Sequence, residues 1–221
     1  MSVAARPDPV PPVTVTDAES FARAAGATPE QVRDLERFLA MLEAGNAVMN
    51  LVGPKTLPEF WNRHAWDSAQ LLALAPEART WADLGAGAGF PGLVLAILGK
   101  GREGFHVHLV ESMAKRCRFL QQVVDELALP ATVHNDRAEN LKLAVDVVTA
   151  RACAPLSRLL GYARPYFKAG AVGLFLKGQD VASDLEEATR SWEYEADVVP
   201  SRSDERGRIV RVRRLGRARK V

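Results

Sequence analysis

A short stretch, Thr80 to Leu98, limits what this chain can fold into more than any other part of the sequence. It begins with a buried-strand pattern over Trp81–Leu84, and the residues after it include four closely spaced glycines: Gly85, Gly87, Gly89 and Gly92. Pro91 suits the start of a helix, because the first helical residue needs no amide hydrogen for an intrahelical bond. A strand, a glycine loop and a helix in this order form the unit with which open α/β sheets bind nucleotides, since glycine lets the backbone approach a ligand closely.

The glycine loop is compatible with two classes of nucleotide. The spacing Gly87-x-Gly89-x-x-Gly92 matches the dinucleotide fingerprint of NAD(P)-dependent oxidoreductases, which is a weak signal by itself. The longer pattern also places Asp83 two residues before Gly85, and a carboxylate facing the ligand there would repel a pyrophosphate. S-adenosylmethionine has no phosphate, and its sulfonium and amino groups are cationic. The loop therefore favours S-adenosylmethionine; a tight turn that binds nothing is the remaining interpretation.

Composition excludes several other classes of protein. The chain has 221 residues, 48% of them hydrophobic, which is enough for one full core and a small appendage. It has two cysteines, Cys117 and Cys153, and four histidines without a Cys/His cluster, so we expect neither a disulfide scaffold nor a metal site. No apolar run reaches the roughly eighteen residues of a membrane span, and no export signal is visible. We therefore expect a soluble, cytoplasmic protein.

Charge is distributed unevenly along the chain. The net charge is +2 and the sequence pI is about 8.6, too mild to indicate a nucleic-acid partner. From residue 151 onward there are 15 Lys and Arg against 9 Asp and Glu, whereas the first 150 residues hold 14 and 18. The last eleven residues contain six cations: Arg211, Arg213, Arg214, Arg217, Arg219 and Lys220. This cluster is either a phosphate-contacting tail or a solvated end, and both interpretations stay open.

The first third of the chain reads as a proline-rich start followed by helices. Residues 1–20 carry four prolines and no periodicity, so we expect them to be disordered or loosely draped. A capping box at Thr28–Gln31 begins a helix that is predicted to end near residue 44, before a turn region over Asn46–Val52. The predicted segments are a proline-rich start (1–20), an N-terminal helical appendage (21–76), the main domain (77–216) and a basic tail (217–221).

A second helix of the appendage is predicted to start at Thr56. If it continues, His64, Asp67 and Ser68 lie on one of its faces, because residues three and four apart are neighbours on a helix. These side chains form either a polar patch beside the ligand or a hydrogen-bonded packing patch. The second interpretation is favoured, since buried polar groups are usually paired within the protein.

From Trp81 onward the pattern alternates between strands and helices. After the first strand, further strands are predicted over Phe105–Val110, Ala131–His134, Val145–Thr149, Ala171–Leu176, Tyr194–Val199 and Arg208–Val212, with helices over Met113–Leu127, Leu156–Tyr166 and Val181–Trp192. Strands separated by helices indicate a mostly parallel sheet, and the last two strands flank a turn and suggest a hairpin. The predicted fold is α/β: a Rossmann-like, seven-stranded, mostly parallel sheet with a terminal antiparallel hairpin, as in class I S-adenosylmethionine-dependent methyltransferases, plus N-terminal helices.

Several residues at predicted strand ends are candidates for ligand contact. Glu111 ends the second strand, where a carboxylate can accept hydrogen bonds from both ribose hydroxyls of a nucleoside; the alternative is an ordinary surface glutamate. Ala138 and Glu139 follow the third strand, beside the expected position of an adenine. Arg151 follows the fourth strand, where methyltransferases keep their reaction-specific residues, and we expect it to position the cofactor or a phosphate.

The segment after the fourth strand narrows the possible methyl acceptors. Enzymes that methylate exocyclic amines carry Asn/Asp-Pro-Pro-aromatic there, whereas this chain has Ala-Arg-Ala-Cys-Ala-Pro over residues 150–155. That difference argues against adenine N6 and cytosine N4. Cys153 raises covalent pyrimidine methylation as a second possibility, but it lacks the usual preceding proline. Small buried cysteines are common, so a packing role is favoured.

Taken together, these motifs resemble the RsmG (GidB) family of bacterial 16S ribosomal RNA guanine-N7 methyltransferases. The matching pieces run from residue 50 to residue 178: Asn50-Leu51, Arg63-His64, Asp67-Ser68, Asp83 to Gly92 with its Gly-Phe-Pro-Gly ending, Glu111-Ser112, Lys115-Arg116, Phe119-Leu120, Arg137-Ala138-Glu139, Arg151-Ala152 and Lys177-Gly178. The proline-rich start is longer than is usual in the family, and the resemblance carries over no role for the basic tail.

The resemblance implies a function and a set of contacts. S-adenosylmethionine would be the cofactor, with contacts at Gly85, Phe90, Ala138, Glu139 and Arg151, to which the loop analysis adds Asp83, Gly87, Gly89 and Glu111. The partner would be 16S ribosomal RNA or the small ribosomal subunit, and the enzyme is expected to be monomeric. Two other functions remain as alternatives: an NAD(P)-dependent oxidoreductase and a non-catalytic protein that binds RNA or assists ribosome assembly.

Overall fold

The alternating pattern of the sequence forms one sheet of seven strands in the computed structural model, which describes residues 12–218. The strands are β1 (Thr80–Leu84), β2 (His106–Glu111), β3 (Ala131–Asn135), β4 (Val147–Arg151), β5 (Val172–Lys177), β6 (Trp192–Pro200) and β7 (Arg208–Arg217). Their order across the sheet is β3-β2-β1-β4-β5-β7-β6. Strands β1 to β5 are parallel, and β7 is antiparallel to both β5 and β6. The predicted fold class is therefore confirmed.

The described residues also form seven α-helices, which lie on the two sides of the sheet. They are α1 (Ala18–Ala25), α2 (Pro29–Met49), α3 (Asp67–Leu74), α4 (Gly92–Gly99), α5 (Ala114–Glu126), α6 (Leu156–Lys168) and α7 (Val181–Thr189). Alternate residues of a strand face opposite sides of a sheet. In β1, Trp81 faces a core shared with α1 to α5, whereas Ala82 and Leu84 face a core shared with α6 and α7. The strand–helix alternation thus buries both faces of the parallel part.

The start of the described chain is packed rather than loose. The Val13 amide donates to the Arg202 carbonyl at 3.0 Å, and the Val15 side chain is 1% exposed. Helix α1 begins at Ala18, where Asp17 and Ser20 form a capping box. The expectation of a disordered start therefore does not hold for residues 13–20, because Val15 reaches the core and Asp17 caps a helix. Residues 1–11 lie outside the described part.

Helix α2 starts as predicted but ends later. The capping box between Thr28 and Gln31 is present, with Pro29 at the first helical position. The helix then continues to Met49, through residues that had been predicted to form a turn. Asn50 closes it in the left-handed conformation, at φ 49°, and its amide donates to the Asn46 carbonyl at 3.3 Å. Asparagine tolerates this conformation better than most residues, so the helix boundary lies at the second asparagine, not the first.

The segment after α2 is helical but irregular. Residues Pro54–Glu59 form a 3₁₀ helix, Phe60–Trp66 form a π-helical stretch, and α3 follows directly. Pro58 lies inside the first of these pieces and cannot donate a backbone hydrogen bond. The predicted single helix is therefore divided into three types of turn. Such π-helical stretches often occur at functional sites, because they redirect side chains.

The N-terminal appendage shares its core with the main domain. The Phe90 ring, from the glycine loop, lies 5.3 Å from the ring of Phe38 and 6.1 Å from that of Phe60, centroid to centroid. Polar contacts also join the two parts, since Lys100 pairs with the buried Asp34 at 2.8 Å. The appendage is thus packed directly against the glycine loop.

The terminal hairpin is longer than predicted and neutralises part of its own charge. Strand β7 extends to Arg217, which pairs with Trp192 of β6, so Arg217 belongs to the sheet and not to a tail. Asp197 pairs with Arg211 at 2.8 Å and with Arg213 at 2.7 Å. Glu195 pairs with Arg214 at 3.2 Å. Half of the six terminal cations therefore face carboxylates across the hairpin, and residues 219–221 lie outside the described part.

Two negative findings concern only residues 12–218. None of the helices there is both long enough and apolar enough to cross a membrane. That part of the chain also holds no group of three or more His, Cys, Asp or Glu side chains that could bind a metal ion.

Candidate functional site

The glycine loop, Gly85–Pro91, joins the carboxyl end of β1 to α4 and is fixed to the neighbouring strand. The amides of Gly85 and Ala86 both donate to the Val110 carbonyl, at 2.8 and 3.0 Å. Gly85, Gly87 and Gly89 all have positive φ, at 71°, 57° and 98°. Side chains are strained in this conformation, so the loop depends on glycine for its shape.

Glu111 holds the same loop from the end of β2. One carboxylate oxygen accepts from the Gly87 amide at 3.1 Å, and the other accepts from the Met113 amide at 2.8 Å. The residue is 5% exposed, and Arg116 lies 3.8 Å from it. Each carboxylate oxygen has two lone pairs, so each keeps acceptor capacity beyond these bonds. The predicted ribose-binding residue thus lies beside the glycine loop with its carboxylate already oriented.

Asp83 lies underneath the loop instead of facing the ligand space. It is fully buried, and one oxygen accepts from the Gly92 amide, at the start of α4, at 2.8 Å. The other oxygen has no hydrogen-bond partner among the described residues. Burial raises the pKa of this carboxyl to about 7. The predicted repulsion of a pyrophosphate assumed an exposed, ionised carboxylate, so the structure weakens that argument for the identity of the cofactor.

Ala138 and Glu139 lie in a 3₁₀ turn, Ala138–Asn140, after β3. The Tyr166 hydroxyl donates to the Ala138 carbonyl at 3.1 Å and fixes the turn to α6. Burial raises the pKa of Tyr166, so its hydroxyl keeps the proton that it donates. The Glu139 side chain is exposed, and Ala138 is half-buried.

Arg151 ends β4 and is held by the appendage. Its guanidinium donates to the Arg63 carbonyl at 2.7 Å and to His64 Nδ1 at 2.9 Å, and it lies 3.4 Å from the Asp67 carboxylate. The same group lies over the Phe90 ring, 4.9 Å from its centroid. Four contacts from two parts of the chain leave this arginine little rotational freedom.

His64 is a neutral acceptor in this arrangement. Burial, followed by the charges of Arg151 and Arg63, lowers the pKa of His64 to about 3. A guanidinium can only donate, so His64 Nδ1 must accept, and Nε2 carries the proton toward Thr56 Oγ1 at 3.1 Å. The Ser68 hydroxyl donates to the His64 carbonyl at 2.6 Å. The polar face predicted for His64, Asp67 and Ser68 is thus paired internally and also contacts Arg151.

The Phe90 side chain points into the core. It is 4% exposed and stacks on the His64 ring at 4.6 Å between centroids. Any contact of Phe90 with a cofactor would therefore come from its backbone, while its ring supports Arg151 from below.

Cys153 packs against the glycine loop. A Cβ atom on Gly85 would lie 2.7 Å from the Cys153 sulfur, so the sulfur occupies the space that a side chain there would need. The residue between Arg151 and Cys153, Ala152, has a strained φ of 51°. The residue as a whole is exposed, so it is not the buried cysteine that the packing interpretation expected. Partial burial of the thiol and then the charges of Asp83 and Glu111 raise the pKa of Cys153, and a protonated thiol is a poor nucleophile.

Three further residues, to which the sequence assigned no role, also line the carboxyl edge of the sheet. A cavity of about 230 Å³, here called the cation cavity, is bounded by Arg151, Asp67, Lys177, Ser201 and Arg208 among others. Lys177 and Arg208 had a usable signal, since Lys177 follows one predicted strand and Arg208 begins another. Ser201 had none, because it reaches the cavity through the hairpin and is linked to Gln70 at 3.0 Å across 131 residues.

The residues after β1 and β2 fit a nucleoside cofactor. The loop presents glycine backbone where a ligand must approach closely, and Glu111 offers spare acceptors suited to ribose hydroxyls.

Comparisons with known proteins agree on one family. The family model GidB, described as "rRNA small subunit methyltransferase G", matches residues 31–207, which include every predicted cofactor contact. A protein of that description from Caulobacter vibrioides is 62% identical over 208 residues, covering 94% of this chain and 96% of its own length. Another from a Caulobacter species is 61% identical over the full length of both. One from Methylorubrum populi is 50% identical and covers 85% of this chain and 90% of itself.

Solved structures share the fold. Cofactor-bound Rv0187 from MTB superimposes with a TM-score of 0.58 at 18% identity, covering 95% of this chain and 99% of that one. An S-adenosylmethionine-dependent methyltransferase from Aquifex aeolicus gives a TM-score of 0.54 at 16% identity, covering 76% of this chain and 97% of that one. At these identities the similarity concerns the fold alone.

Proposed function

Because the chain belongs to the GidB family of small-subunit ribosomal RNA methyltransferases, we propose that it methylates N7 of a guanosine in 16S ribosomal RNA, with S-adenosylmethionine as methyl donor. This proposal rests mainly on the glycine loop at the carboxyl edge of the sheet. Its backbone amides donate hydrogen bonds to β2, to the Val110 carbonyl and to the Glu111 carboxylate. In open α/β sheets this edge is where ligands bind.

The cofactor would be held by backbone and carboxylate groups already in place. Glu111 would accept from the ribose hydroxyls, and the turn at Ala138 and Glu139 would border the adenine. The glycine loop, with Gly85, Gly87 and Gly89, would let the nucleoside lie against the backbone.

Guanine N7 has a lone pair and no proton, so it can take the methyl group that S-adenosylmethionine supplies without help from a general base. The work left to the protein is alignment of the acceptor, and effective molarity can contribute several kcal/mol in such cases. Among the described residues of the site there is no nucleophile–base pair, which agrees with this chemistry: the pKa of the Cys153 thiol is raised, and both ring nitrogens of His64 are engaged, by Arg151 and by Thr56.

Arg151 is proposed to be a positioning residue. Its guanidinium is fixed by Arg63, His64 and Asp67, so it presents a cation in one place at the end of β4. A fixed cation there can orient the cofactor carboxylate or a nearby phosphate through charge-assisted hydrogen bonds. It is not needed to move a proton.

The two alternative functions are less well supported. An NAD(P)-dependent oxidoreductase does not agree with the family to which the chain belongs. A non-catalytic RNA-binding or assembly protein would keep the nucleoside pocket but would not transfer a methyl group, and only an assay of turnover separates it from an enzyme.

The test is methyl transfer to RNA from a strain that lacks this gene. Protein, labelled S-adenosylmethionine and either naked 16S ribosomal RNA or whole small subunits are incubated together, with 23S ribosomal RNA as the control. We expect the label in one guanosine of the 16S RNA, as N7-methylguanosine after digestion and mass spectrometry. Label in another base, or RNA binding with no transfer, would contradict the proposal.

We further propose that the enzyme works as a monomer in the cytoplasm, where ribosomal subunits assemble. Light scattering of the purified protein at working concentration measures the mass directly. A dimer mass there would contradict the monomer.

A further inference from the structure

The cation cavity lies at the carboxyl edge of the sheet, on the side away from Glu111. Its walls include the last residue of β4, Arg151, the last residue of β5, Lys177, and the first residue of β7, Arg208. A larger depression of about 440 Å³ adjoins it and shares Ala152, Lys177 and Gly178. The cavity is therefore open toward further space along the ends of β4 and β5.

Two of the cations are direct cross-strand neighbours. Lys177 and Arg208 are register partners in the antiparallel pairing of β5 with β7, and both border the cavity. Like charges directly opposite one another destabilise a sheet. An arrangement of this kind is relieved when an anion lies between the two charges.

The charges that border the cavity are only partly neutralised. Lys177 pairs with Asp184 at 2.5 Å, and Arg151 is 3.4 Å from Asp67. Arg208 instead donates to the carbonyls of Glu205 and Gly207, both at 2.7 Å, and has no salt-bridge partner within residues 12–218. Its guanidinium is thus oriented by its own turn while its charge stays available.

We propose that the cation cavity binds a phosphate of the RNA strand that carries the target guanosine, with Arg208 supplying the charge. The inference rests on the proposed function, because it places the acceptor strand at the edge of the sheet next to Arg151. Arginine donates to phosphate oxygens in a planar fork, and lysine acts as a point charge. Phosphate contacts fix the register of a nucleic acid without reading its sequence, so this site would position the guanosine and would not select it.

The experiment measures RNA affinity against salt concentration. Wild type, Arg208→Ala, Arg208→Lys and Arg206→Ala bind unmethylated 16S ribosomal RNA in a fluorescence assay at several potassium chloride concentrations. Arg206 is the matched control, because it lies on the same turn, pairs with Asp204 at 3.8 Å, and is 76% exposed outside the cavity. Calorimetric titration with S-adenosylmethionine is run on each protein.

We expect Arg208→Ala to weaken RNA binding about tenfold and to lower the slope of log affinity against log salt by about 0.7–0.9, the loss of one phosphate contact. Arg208→Lys should keep the wild-type slope, because it keeps the charge even though it loses the hydrogen bonds to the turn. Arg206→Ala should match wild type. Affinity for S-adenosylmethionine should stay unchanged in all variants.

The inference is overturned if Arg208→Ala keeps the wild-type slope, or if Arg206→Ala lowers it equally. It is also overturned if Arg208→Lys behaves like Arg208→Ala, since the turn and not the charge would then matter. Should Arg208→Ala not fold, Arg208→Gln removes the charge and keeps amide donors for the turn. Methyl transfer by wild type is assayed in parallel: its absence would refute the proposed function, whereas equal slopes with normal transfer would refute this inference alone.

Discussion

The two halves of the sheet's carboxyl edge are built in different ways. In the half after β1 and β2, the hydrogen bonds that fix the backbone of the glycine loop are local: they join Gly87 to Glu111, 24 positions later, and Gly85 to Val110 on the same strand. The half after β4 and β5 depends on contacts across much longer stretches of chain. Arg151 contacts Arg63, 88 residues earlier, and Gln70 contacts Ser201, 131 residues later.

The difference shows two ways in which a sequence can encode a binding site. A nucleoside site can be carried by one contiguous unit, because a strand, a glycine loop and the end of the next strand already place backbone and carboxylate together. An RNA strand is a larger ligand, and the edge that would meet it is assembled from the appendage, β4, β5 and the hairpin. Substitutions in each half can test this difference: the half after β1 and β2 should depend on short-range contacts, and the half after β4 and β5 on contacts between distant segments.

The largest effect is expected at Gly89. Its φ of 98° is strained for alanine, and a Cβ atom there would overlap the Leu93 side chain. Gly170 is the matched control, because its φ is 101° and nothing lies within 4 Å of its Cβ position. We expect Gly170→Ala to cost about 1 kcal/mol of stability from the backbone. Gly89→Ala should lose about 1–3 kcal/mol more through overpacking, together with affinity for S-adenosylmethionine.

Urea unfolding and calorimetric titration measure these two losses. If Gly89→Ala and Gly170→Ala are destabilised equally, close packing of the glycine loop against α4 does not matter.

The next effect concerns Glu111. Replacing it by alanine removes the acceptors for the Gly87 and Met113 amides and for the proposed ribose hydroxyls. We expect S-adenosylmethionine affinity to fall by about 1–3 kcal/mol, from the loss of charge-assisted hydrogen bonds. Glu111→Gln should lose less, because the amide keeps one acceptor oxygen. An unchanged dissociation constant in Glu111→Ala would remove this residue from the cofactor site.

A smaller effect, a pH dependence of the free energy of unfolding, is expected in the half after β4 and β5, where His64 contacts Arg151. The pKa of His64 is about 3 in the folded protein, against an ordinary value of 6.5. Between these values only the unfolded chain binds the proton, so stability falls as the pH falls below 6.5. Each pH unit in this window contributes about 1.4 kcal/mol at most. His64→Gln should therefore lose about 1 kcal/mol less than wild type between pH 6 and pH 5.

Urea unfolding of both proteins at the two pH values isolates this contribution. Other groups act in both proteins and cancel, including Asp83, whose raised pKa of about 7 has the opposite sign because it stabilises the folded state toward low pH. Parallel pH curves for wild type and His64→Gln would mean that His64 is not held neutral by its contacts.

The smallest effect is expected on the exposed side of the hairpin. Arg214 pairs with Glu195 at 3.2 Å, and their side chains are 79% and 60% exposed. Exposed pairs of this kind contribute little, so Arg214→Ala should change the free energy of unfolding by less than about 0.5 kcal/mol. The salt dependence of RNA binding should also stay close to wild type, in contrast to Arg208→Ala. A large fall in either quantity would show that the hairpin face is part of the RNA surface.

Much of the architecture followed from local patterns in the sequence. Strand and helix periodicity, the glycines at 85, 87 and 89, and the capping box at Thr28 are properties of short stretches, and all of them are present in the fold. The position of Glu111 beside the loop also followed, because neighbouring parallel strands end at the same edge of a sheet.

The exact ends of helices and the directions of individual side chains did not follow from local patterns in the sequence. Helix α2 passes Asn46 and stops at Asn50, and Val15 is buried although it lies in a stretch predicted to be loose. Asp83 has the predicted position in the chain, yet its carboxylate is fully buried and accepts from the first amide of α4, that of Gly92. Each outcome depends on what packs against the residue from elsewhere, which a local pattern does not contain.

The sequence by itself determined the strand–loop–helix unit, the order of strands and helices and the residue types at the strand ends, because these depend on neighbours in the chain. Only the tertiary structure decided which charges are paired. It placed Asp197 between Arg211 and Arg213, fixed Arg151 against His64, and set Lys177 opposite Arg208. Charge pairing depends on strand register and on contacts between residues far apart in the chain, 87 positions for Arg151 and His64, and these exist only once the sheet has formed.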